Sequence, residues 1–406
     1  MEWVVLVYLF FVLITIYLYA LFLILFFNNR DKLFEEKIST NLKSVTICIP
    51  AYNEEDTIAD TIKAVLASNY PKELLEVIVV NDGSIDRTSE IAKQFPVIVL
   101  DKKNEGTKAA AVNYGLKHAK NELFGVVDAD SYPEPDALLK VVSFFDDAEV
   151  GAATTCVRVK NKEVLLGKLQ NIEYTLIAWV RKLLEFINSV YVTPGPLSVY
   201  RKKIIDDIGG FDHNILTEDI EIAWGVLRRK WKIKMCLSAR AYTTVPETLK
   251  GWWKQRLRWD IGGIQTFLKH RDVIGKSNYG MLGVFVSPFF ASTFVLSLVG
   301  FGVWVYLIST KLTQSVFRWL YSVETHSVVL QVKSFYLTPT VFMVFGSLLL
   351  MTYFIYLGYA LKTLDKTKVT SGRKSVILIY LFIYLLMYPL VFLQSIYRVL
   401  IGKFQW

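Results

Sequence analysis

Long apolar stretches with few or no charges lie at both ends of the chain. Residues 3–27 contain no charged side chain. Three similar stretches follow the central region, at residues 281–309, 334–361 and 375–401. A helix rises about 1.5 Å per residue, so each stretch is long enough to cross the roughly 30 Å hydrocarbon core of a bilayer. The pattern predicts one transmembrane helix in residues 1–28 and about three in residues 281–406.

The central part of the chain, residues 29–250, has a different pattern. Short apolar runs with the composition of strands alternate with segments of helical periodicity. The strand-like runs occupy residues 44–52, 76–81, 97–101 and 123–127, and the helical segments occupy residues 54–67, 86–95 and 108–119. This alternation is typical of βαβ units. We therefore expect an α/β domain with a mainly parallel sheet, inserted between transmembrane helices.

Two further segments combine helical periodicity with charges. In residues 162–190, apolar residues recur every three or four positions, but charges such as Lys168, Glu173 and Arg181 prevent the segment from crossing a membrane. It fits an amphipathic helix on the bilayer surface or against the α/β domain, and a plain core helix is the alternative. Residues 251–280 begin with a similar segment whose tryptophans suit a membrane interface, so interfacial helices are expected there too.

Composition and charge agree with a membrane protein. Hydrophobic residues make up 53% of the chain, and the mean hydropathy is +0.36. Lys and Arg number 46 against 37 for Asp and Glu; in a membrane protein such an excess marks the cytoplasmic side rather than nucleic-acid binding. The basic loop 362–374 is thus predicted to be cytoplasmic and the loop 310–333 external, which puts the central domain in the cytoplasm and both termini outside. The three cysteines show no C-x-x-C spacing, so no disulfide framework or zinc site is expected.

A pair of carboxylates marks the end of the predicted strand at residues 123–127. Asp128 and Asp130 follow it directly, and open α/β sheets bind ligands at the carboxyl ends of their strands. Acids are costly to bury unpaired. The pair therefore indicates a hard divalent cation bound through oxygen, with an ordinary acidic turn as the alternative.

Two other strand ends carry polar or aromatic residues. Pro50-Ala51-Tyr52-Asn53-Glu54 ends the first strand, where the ring of Tyr52 could stack on a nucleobase. Asn81-Asp82-Gly83-Ser84 ends the second, where Asp82 could accept hydrogen bonds from a base or ribose. Each also fits a simple turn, the second an Asx turn. Because parallel strands share a direction, both loops are expected at the same sheet edge as Asp128 and Asp130.

Later residues add candidate chemistry. Lys108 begins a predicted helix, whose N-terminus favours anions, although a solvated lysine is the simpler interpretation. Thr217-Glu218-Asp219 fits a helix start capped by Thr217, and Asp219 in a dry site could act as a general base.

The sequence Gln255-Arg256-Leu257-Arg258-Trp259 is the last candidate motif. Two arginines two residues apart could clamp a pyrophosphate, and the neighbouring tryptophan offers a flat ring to a sugar. A basic interfacial helix that binds anionic lipid is the alternative.

The motifs PAYNE, NDGS, DAD, GGFD…TED and QRLRW, in this order and between membrane spans, resemble those of the membrane-bound glycosyltransferases of family 2. QRLRW is similar to the Q-x-x-R-W pattern of the processive branch, which includes the hyaluronan, chitin, cellulose and poly-N-acetylglucosamine synthases. The resemblance covers residues 45–260 and implies a GT-A-type nucleotide-sugar-binding domain.

The resemblance also implies a role for each matching residue. Nucleotide binding is implied for Pro50, Tyr52, Glu54, Asp82, Lys108, Asp128, Gln255, Arg256 and Arg258. Asp130 would be the ligand of a Mg²⁺ or Mn²⁺ cofactor, and Asp219 the catalytic base. Acceptor binding is implied for Gly195, Glu218 and Trp259.

The sequence thus predicts an inverting, metal-dependent glycosyltransferase at the membrane. The expected partners are a nucleotide-diphosphate sugar donor, a lipid-linked or growing glycan acceptor and membrane lipids, but no nucleic acid. Polysaccharide synthesis is the first interpretation, and transfer of a single sugar to a lipid carrier or glycolipid is the alternative. A transporter or lipid-binding membrane protein with a nucleotide-binding domain is the alternative from another class.

Overall fold

The computed structural model describes residues 2–36, 38–325, 341–365 and 371–402. Its strands are β1 (Val45–Ala51), β2 (Leu75–Asp82), β3 (Ile98–Lys102), β4 (Leu123–Val126), β5 (Ser131–Pro133), β6 (Val150–Val159), β7 (Ser198–Arg201) and β8 (Lys232–Thr243). Its helices are α1 (Glu2–Asn29), α2 (Ile58–Leu66), α3 (Thr88–Ala92), α4 (Lys108–His118), α5 (Ala137–Val142), α6 (Leu165–Glu185), α7 (Lys202–Ile208), α8 (Glu218–Arg228), α9 (Leu249–Lys269), α10 (Ser287–Glu324), α11 (Val341–Leu364), α12 (Ser371–Ile379) and α13 (Leu385–Leu400).

The strands form one 8-stranded sheet in the order β3-β2-β1-β4-β7-β6-β8-β5. The first four strands are parallel to one another, as the alternating pattern predicts. The second half of the sheet is mixed: β7 runs antiparallel to β4 and β6, β6 and β8 are parallel, and β5 pairs antiparallel with β8. The expected α/β fold with a mainly parallel sheet is confirmed.

Helices cover both faces of the sheet, and alternate strand residues enter separate cores. Cys48 and Ile78 belong to a core formed with α4 and α8, where Trp224 is fully buried. Their neighbours Ile47 and Val79 face a second core formed with α2 and α5. Burial on both faces explains why β1 and β4 are continuous apolar runs instead of alternating ones.

Four helices in the described part of the chain are long and apolar enough to cross a membrane. They correspond to the four predicted spans and comprise residues Val5–Lys32, Leu282–Glu324, Met343–Leu364 and Lys374–Leu400. A π-helical turn at Tyr380–Tyr384 joins α12 and α13.

The second span is longer than predicted. α10 continues to Glu324, so much of the expected external loop 310–333 is helical. Residues 310–324 contain no Gly or Pro that would end a helix, whereas the sequence prediction ended the span at the first lysine. Residues 326–333 of that loop, and residues 366–370 of the basic loop 362–374, lie outside the described residues.

The two predicted amphipathic segments form α6 and α9, which lie between the sheet and the membrane-crossing helices. α6 packs against β6 and β8 on one side and against α11 and α12 on the other. Its Trp179 is fully buried, with its ring centroid 4.6 Å from that of Phe26 in α1. α9 packs against both α8 and α13. The proposed boundaries at residues 28, 250 and 280 stay predictions.

Candidate active site

The loop that follows β4 is fixed to two neighbouring segments. Val127 N donates to the carbonyl oxygen of Cys48 at 3.0 Å, and Asp128 N donates to that of Gly195 at 3.1 Å. Gly195 lies so close to Asp128 that a Cβ atom at position 195 would overlap the carboxylate. Glycine is therefore required for the 192–196 loop to approach Asp128.

Lys108 joins two acidic residues from different parts of the chain. It is the first residue of α4, whose N-terminus is capped by the side chain of Thr107. Its Nζ lies 2.5 Å from Asp128 Oδ1 and 2.7 Å from Glu218 Oε1. Burial acts to lower the pKa of Lys108, but the two carboxylates outweigh it and raise that pKa. The lysine is therefore charged and is held over the end of the sheet.

Asp130 and Glu54 extend this acidic group. Burial, together with the charges of Asp128 and Glu54, raises the pKa of Asp130 to about 6. Burial also raises the pKa of Glu54, whose Oε2 accepts a hydrogen bond of 2.6 Å from Thr57 Oγ1. The carboxyl ends of β1 and β4 thus bring together more negative charge than Lys108 alone neutralises.

This excess of carboxylate fits a divalent cation. Among the residues that the structure describes, no group of three or more His, Cys, Asp or Glu side chains is arranged to hold a metal by itself. Mg²⁺ is commonly held by one or two carboxylates, with substrate phosphates and water as its other ligands. Asp130, with Asp128 beside it, offers such a partial set of oxygen ligands.

Glu218 and Asp219 begin α8 on the opposite side of Lys108. The main-chain carbonyl of Asp219 accepts hydrogen bonds from Thr193 N at 3.2 Å and Thr193 Oγ1 at 3.0 Å. Burial and the charge of Glu218 raise the pKa of Asp219 to about 6. Burial acts to raise the pKa of Glu218 as well, but Lys108 outweighs it and lowers that pKa.

Thr217 does not cap α8, contrary to the sequence prediction. Its side chain makes no capping hydrogen bond, and its buried hydroxyl has no hydrogen-bond partner within the described ranges. The reason is the close approach of α9: a Cβ atom at Gly262 would overlap Thr217 Oγ1. The start of α8 is therefore covered by α9.

The QRLRW helix contributes to a cleft beside Lys108. Gln255 and Arg258 line this cleft, which has a volume of about 400 Å³. Its other lining residues are Gly106, Thr107, Lys108, Ala109, Ile215, Leu216, Glu218, Gly251 and Lys254. The charge of Arg258 acts to lower the pKa of both Glu218 and Asp219. Arg258, one of the predicted diphosphate ligands in the motif, thus lies near Glu218 and Asp219.

Arg256 lies elsewhere. Residues two apart on a helix are separated by about 200°, so Arg256 and Arg258 project from nearly opposite faces of α9. Arg256 is 1% exposed and forms an ion pair with Glu173 of α6, with its Nη2 2.5 Å from Glu173 Oε2. The expected clamp of two arginines is not assembled in this structure.

Trp259, the predicted acceptor platform, is a half-buried residue of α9 whose ring lies near α6. Arg256 Cζ lies 4.1 Å from its ring centroid, and the ring centroid of Tyr174 lies 6.3 Å away. Burial raises the pKa of Tyr174 to about 12, and the charges acting on it include those of Asp130 and Arg258. Sequence reasoning missed Tyr174, because no motif marks it within the amphipathic pattern of α6.

The loops that follow β1 and β2 are linked to each other. Asn53, in a left-handed conformation with φ 55°, donates its N–H to Ser84 Oγ at 3.0 Å and accepts from Ile85 N through Oδ1 at 3.0 Å. Next to these loops, Tyr52 is 49% exposed at the carboxyl end of β1. Pro50 lies inside β1, beside Val80.

Asp82 is buried and forms an ion pair with Lys102, at 2.7 Å, which sequence reasoning did not single out. The Asx-type hydrogen bond of this loop is made by Asn81, whose Oδ1 accepts from Ser84 N at 3.1 Å. Asp82 is therefore not needed for the turn.

The fold belongs to the GT-A glycosyltransferases. A mannosyltransferase from Pyrobaculum calidifontis, PcManGT, solved in complex with GDP-Man and Mn2+, superposes with a TM-score of 0.61, covering 97% of this chain and 99% of that chain at 18% identity. This similarity extends through the membrane-crossing helices and concerns the fold alone.

A family model described as glycosyltransferase like family 2 matches residues 43–262, and the protein belongs to that family. Poly-beta-1,6-N-acetyl-D-glucosamine synthases are similar in sequence, with 37% identity for that of Staphylococcus aureus (strain MSSA476) and 33% for that of Staphylococcus epidermidis. Each alignment covers 234 residues, or 56% of this chain and 56% of the relative. The chain thus matches about half the length of these relatives. The resemblance found in the motifs is confirmed.

Proposed function

We propose that this protein transfers a sugar from a nucleotide-diphosphate donor to an acceptor hydroxyl, with inversion at the anomeric carbon. The observation that carries the proposal is the arrangement around Lys108, which contacts Asp128 from the end of β4 and Glu218 beside Asp219. Lys108 thus lies between two groups of acids: Asp128 and Asp130, which are suited to bind a metal, and Glu218 with the candidate base Asp219. This arrangement suits a reaction in which a diphosphate leaves and a hydroxyl loses its proton.

On the donor side, Lys108 and Arg258 face the same cleft and would bind the diphosphate. As the bond between the sugar and the diphosphate breaks, negative charge develops on the leaving group. Opposite unit charges about 4 Å apart attract by roughly 4 kcal/mol at an effective dielectric constant near 20, equivalent to about a thousandfold in rate. Mg²⁺ or Mn²⁺ held at Asp130 would supply further positive charge to the same diphosphate.

On the acceptor side, Asp219 would take the proton from the attacking hydroxyl. With a pKa near 6 it is ionised at neutral pH and is still basic enough to assist the transfer. One base opposite one leaving group gives a single in-line displacement, which inverts the anomeric centre. Trp259 and the loop around Gly195 would position the acceptor, and Tyr52, Pro50, Glu54 and Asp82 would surround the nucleotide.

We further propose that the product is a polysaccharide and that the donor carries N-acetylglucosamine. The similarity to poly-beta-1,6-N-acetyl-D-glucosamine synthases and the QRLRW helix support this choice. Transfer of a single sugar to a lipid carrier is the second candidate, favoured by a membrane domain with only three apolar helices after α9 among the described residues. In both cases, the basic loop at 362–374 supports a cytoplasmic catalytic domain with both termini outside.

The experiment is a screen of the purified protein with UDP- and GDP-sugars in Mg²⁺ or Mn²⁺, with released nucleoside diphosphate and product length as readouts. Asp130→Asn and Asp219→Asn should each reduce transfer by about a thousandfold or more, because each removes a charge from the reacting centre. Asp206→Asn, at an exposed ion pair with Lys202, is the matched control and should remain active. Wild-type turnover in either site variant would refute the role given to that residue.

Product length separates the two candidates. A polymer series from one donor supports the synthase, and a single addition supports the lipid-carrier enzyme. Absence of metal-dependent donor turnover with every nucleotide sugar would favour the transporter or lipid-binding alternative.

A further inference from the structure

A buried polar cluster joins α6, α9 and the last membrane-crossing helix. Glu173 of α6 and Arg256 of α9 are 7% and 1% exposed. Arg256 Nε donates to Glu173 Oε1 at 3.2 Å, and Arg256 Nη2 donates to Glu173 Oε2 at 2.5 Å. The hydroxyl of Tyr384 donates to Glu173 Oε2 at 2.5 Å, and that of Tyr388 donates to Glu173 Oε1. Glu173 of α6 thus binds one cation from α9 and two hydroxyls from the last membrane-crossing helix, so the cluster joins three helices.

The last membrane-crossing helix also forms hydrogen bonds with α9 next to this cluster. Tyr384 is the final residue of the π-helical turn, and Tyr388 lies one helical turn further on. Besides contacting Glu173, the Tyr384 hydroxyl accepts from Trp252 Nε1 at 2.5 Å. Trp253 Nε1 donates to Gln394 Oε1 at 2.6 Å. These indole hydrogen bonds fix the first turn of α9 to the span.

Arg256 in turn contacts the predicted acceptor platform. Its guanidinium carbon lies 4.1 Å from the ring centroid of Trp259, a cation–π distance. Tyr174, the residue after Glu173, flanks the same ring. α6 therefore supplies both the counter-charge that fixes Arg256 and an aromatic neighbour of Trp259.

A buried ion pair is a costly way to stabilise an interface, since well-packed apolar residues of similar volume are often as stable. The cluster instead fixes an orientation: the two oxygens of the Glu173 carboxylate bind one edge of the Arg256 guanidinium, formed by Nε and Nη2, so the guanidinium plane against Trp259 has one orientation. Gln255 accepts from the remaining Arg256 nitrogen, Nη1, which links the cluster to the cleft-lining part of the motif.

We propose that Glu173 is a positioning residue for the acceptor site. Through Arg256 it sets the orientation of Trp259, and through Tyr384 and Tyr388 it ties that orientation to the last membrane span. This inference rests on the proposed function, because it assumes that Trp259 contacts the acceptor. It gives Arg256 a role different from that of Arg258, which faces the donor cleft.

The test compares donor and acceptor parameters in Glu173→Gln, which keeps the shape of the side chain and removes its charge. The probes are UDP-N-acetylglucosamine and a short β-1,6-linked N-acetylglucosamine oligosaccharide. Loss of a fixed cation–π contact should raise the acceptor KM, and the oligosaccharide Kd measured by calorimetry, by about tenfold. The donor KM should change by less than about twofold, because no donor contact is altered. Tyr388→Phe should shift the acceptor values in the same direction by a smaller factor.

Glu185→Gln is the matched control. Glu185 is also a buried glutamate of α6, with ion pairs to Lys182 at 2.8 Å and Lys234 at 3.2 Å. Glu185→Gln should lower thermal stability, but it should not raise the acceptor KM relative to the donor KM. The double variant Glu173→Leu/Arg256→Met should recover stability but not acceptor affinity, since it restores packing without the oriented cation.

The direct binding measurement separates this inference from the proposed function. A wild-type protein that binds the oligosaccharide but turns over no donor would refute the glycosyltransferase, while the comparison of Kd values still tests the positioning of Trp259. Unchanged acceptor binding in Glu173→Gln, equal changes in the donor and acceptor parameters, or a wild-type protein that does not bind the oligosaccharide would overturn the inference.

Discussion

Replacement of Lys108 by methionine is the most informative perturbation of the site. Lys108 Nζ lies 2.5 Å from Asp128 and 2.7 Å from Glu218, and at an effective dielectric constant of about 20 each pair attracts by about 6 to 7 kcal/mol. Desolvation offsets most of this, and removal of one partner of a fully buried pair costs about 3 to 5 kcal/mol. Because the Lys108 side chain is 28% exposed, water screens part of the interaction. We therefore expect Lys108→Met to lose about 2 to 3 kcal/mol of stability at pH 7.5.

The loss should depend on pH. In the wild-type protein, Lys108 holds the pKa of Glu218 below its ordinary value of 4.5 in spite of burial. Glu218 thus stabilises the fold above that ordinary value, and this contribution is lost as the pH falls through the lower folded-state pKa. In Lys108→Met, burial and the neighbouring carboxylates instead raise the pKa of Glu218, so the variant becomes less stable as the pH rises above about 4.5. The stability difference from wild type should therefore be smaller near pH 4.5 than near pH 7.5.

The assay is thermal unfolding in detergent at several pH values, combined with measurement of UDP and GDP affinity. Lys108→Met should bind the better of the two nucleotides at least about tenfold more weakly, because a cation that faces the diphosphate is gone. Lys182→Met is the control: Lys182 is 5% exposed and paired with Glu185 on α6, so its loss should cost stability but leave nucleotide affinity unchanged. A stability difference that does not grow between pH 4.5 and 7.5, or undiminished nucleotide affinity, would refute this account of Lys108.

Two further predictions concern the same site. Gly195→Ala should reduce both transfer and the free energy of unfolding, the latter by about 1 to 3 kcal/mol, because the added Cβ overlaps the Asp128 carboxylate. The control is Gly358→Ala, which should have little effect in the same activity and unfolding assays because a Cβ there meets nothing within 4 Å. The pH profile of kcat/KM should fall on the acid side near pH 6, since Asp219 must be deprotonated to act as a base; a profile that stays flat down to pH 4.5 would contradict that role.

Much of the α/β domain is predictable because its signals are local. β1, β2 and β4 are largely apolar and largely buried, and the segments between the first four strands form the helices α2, α3 and α4. Parallel strands connected by helices place their carboxyl ends at one edge, so the proximity of the loops carrying Asn53 and Ser84 follows from topology.

The second half of the domain was less predictable. β5 has three residues and β7 has four, too short for a periodic pattern, and their pairing with β8 and with β4 depends on contacts between distant segments. The roles of α6 residues were also hidden. In the sequence, Glu173 is only a charged residue within an amphipathic pattern. Its role is not visible there because its partners, Arg256, Tyr384 and Tyr388, lie 83 to 215 residues away.

By itself, the sequence determined the four apolar spans, the parallel half of the sheet and the family-like order of the motifs, because each depends on side-chain type and short-range spacing. Tertiary structure decided which side chains meet. Arg256 and Arg258 look equivalent in QRLRW, but helical geometry sends one to a buried glutamate and the other to the cleft beside Lys108. Only the packing of α9 against α8 and α13, together with its side-chain contacts to α6, makes that distinction, since the environment on each face of a helix is set by its neighbours and not by its own sequence.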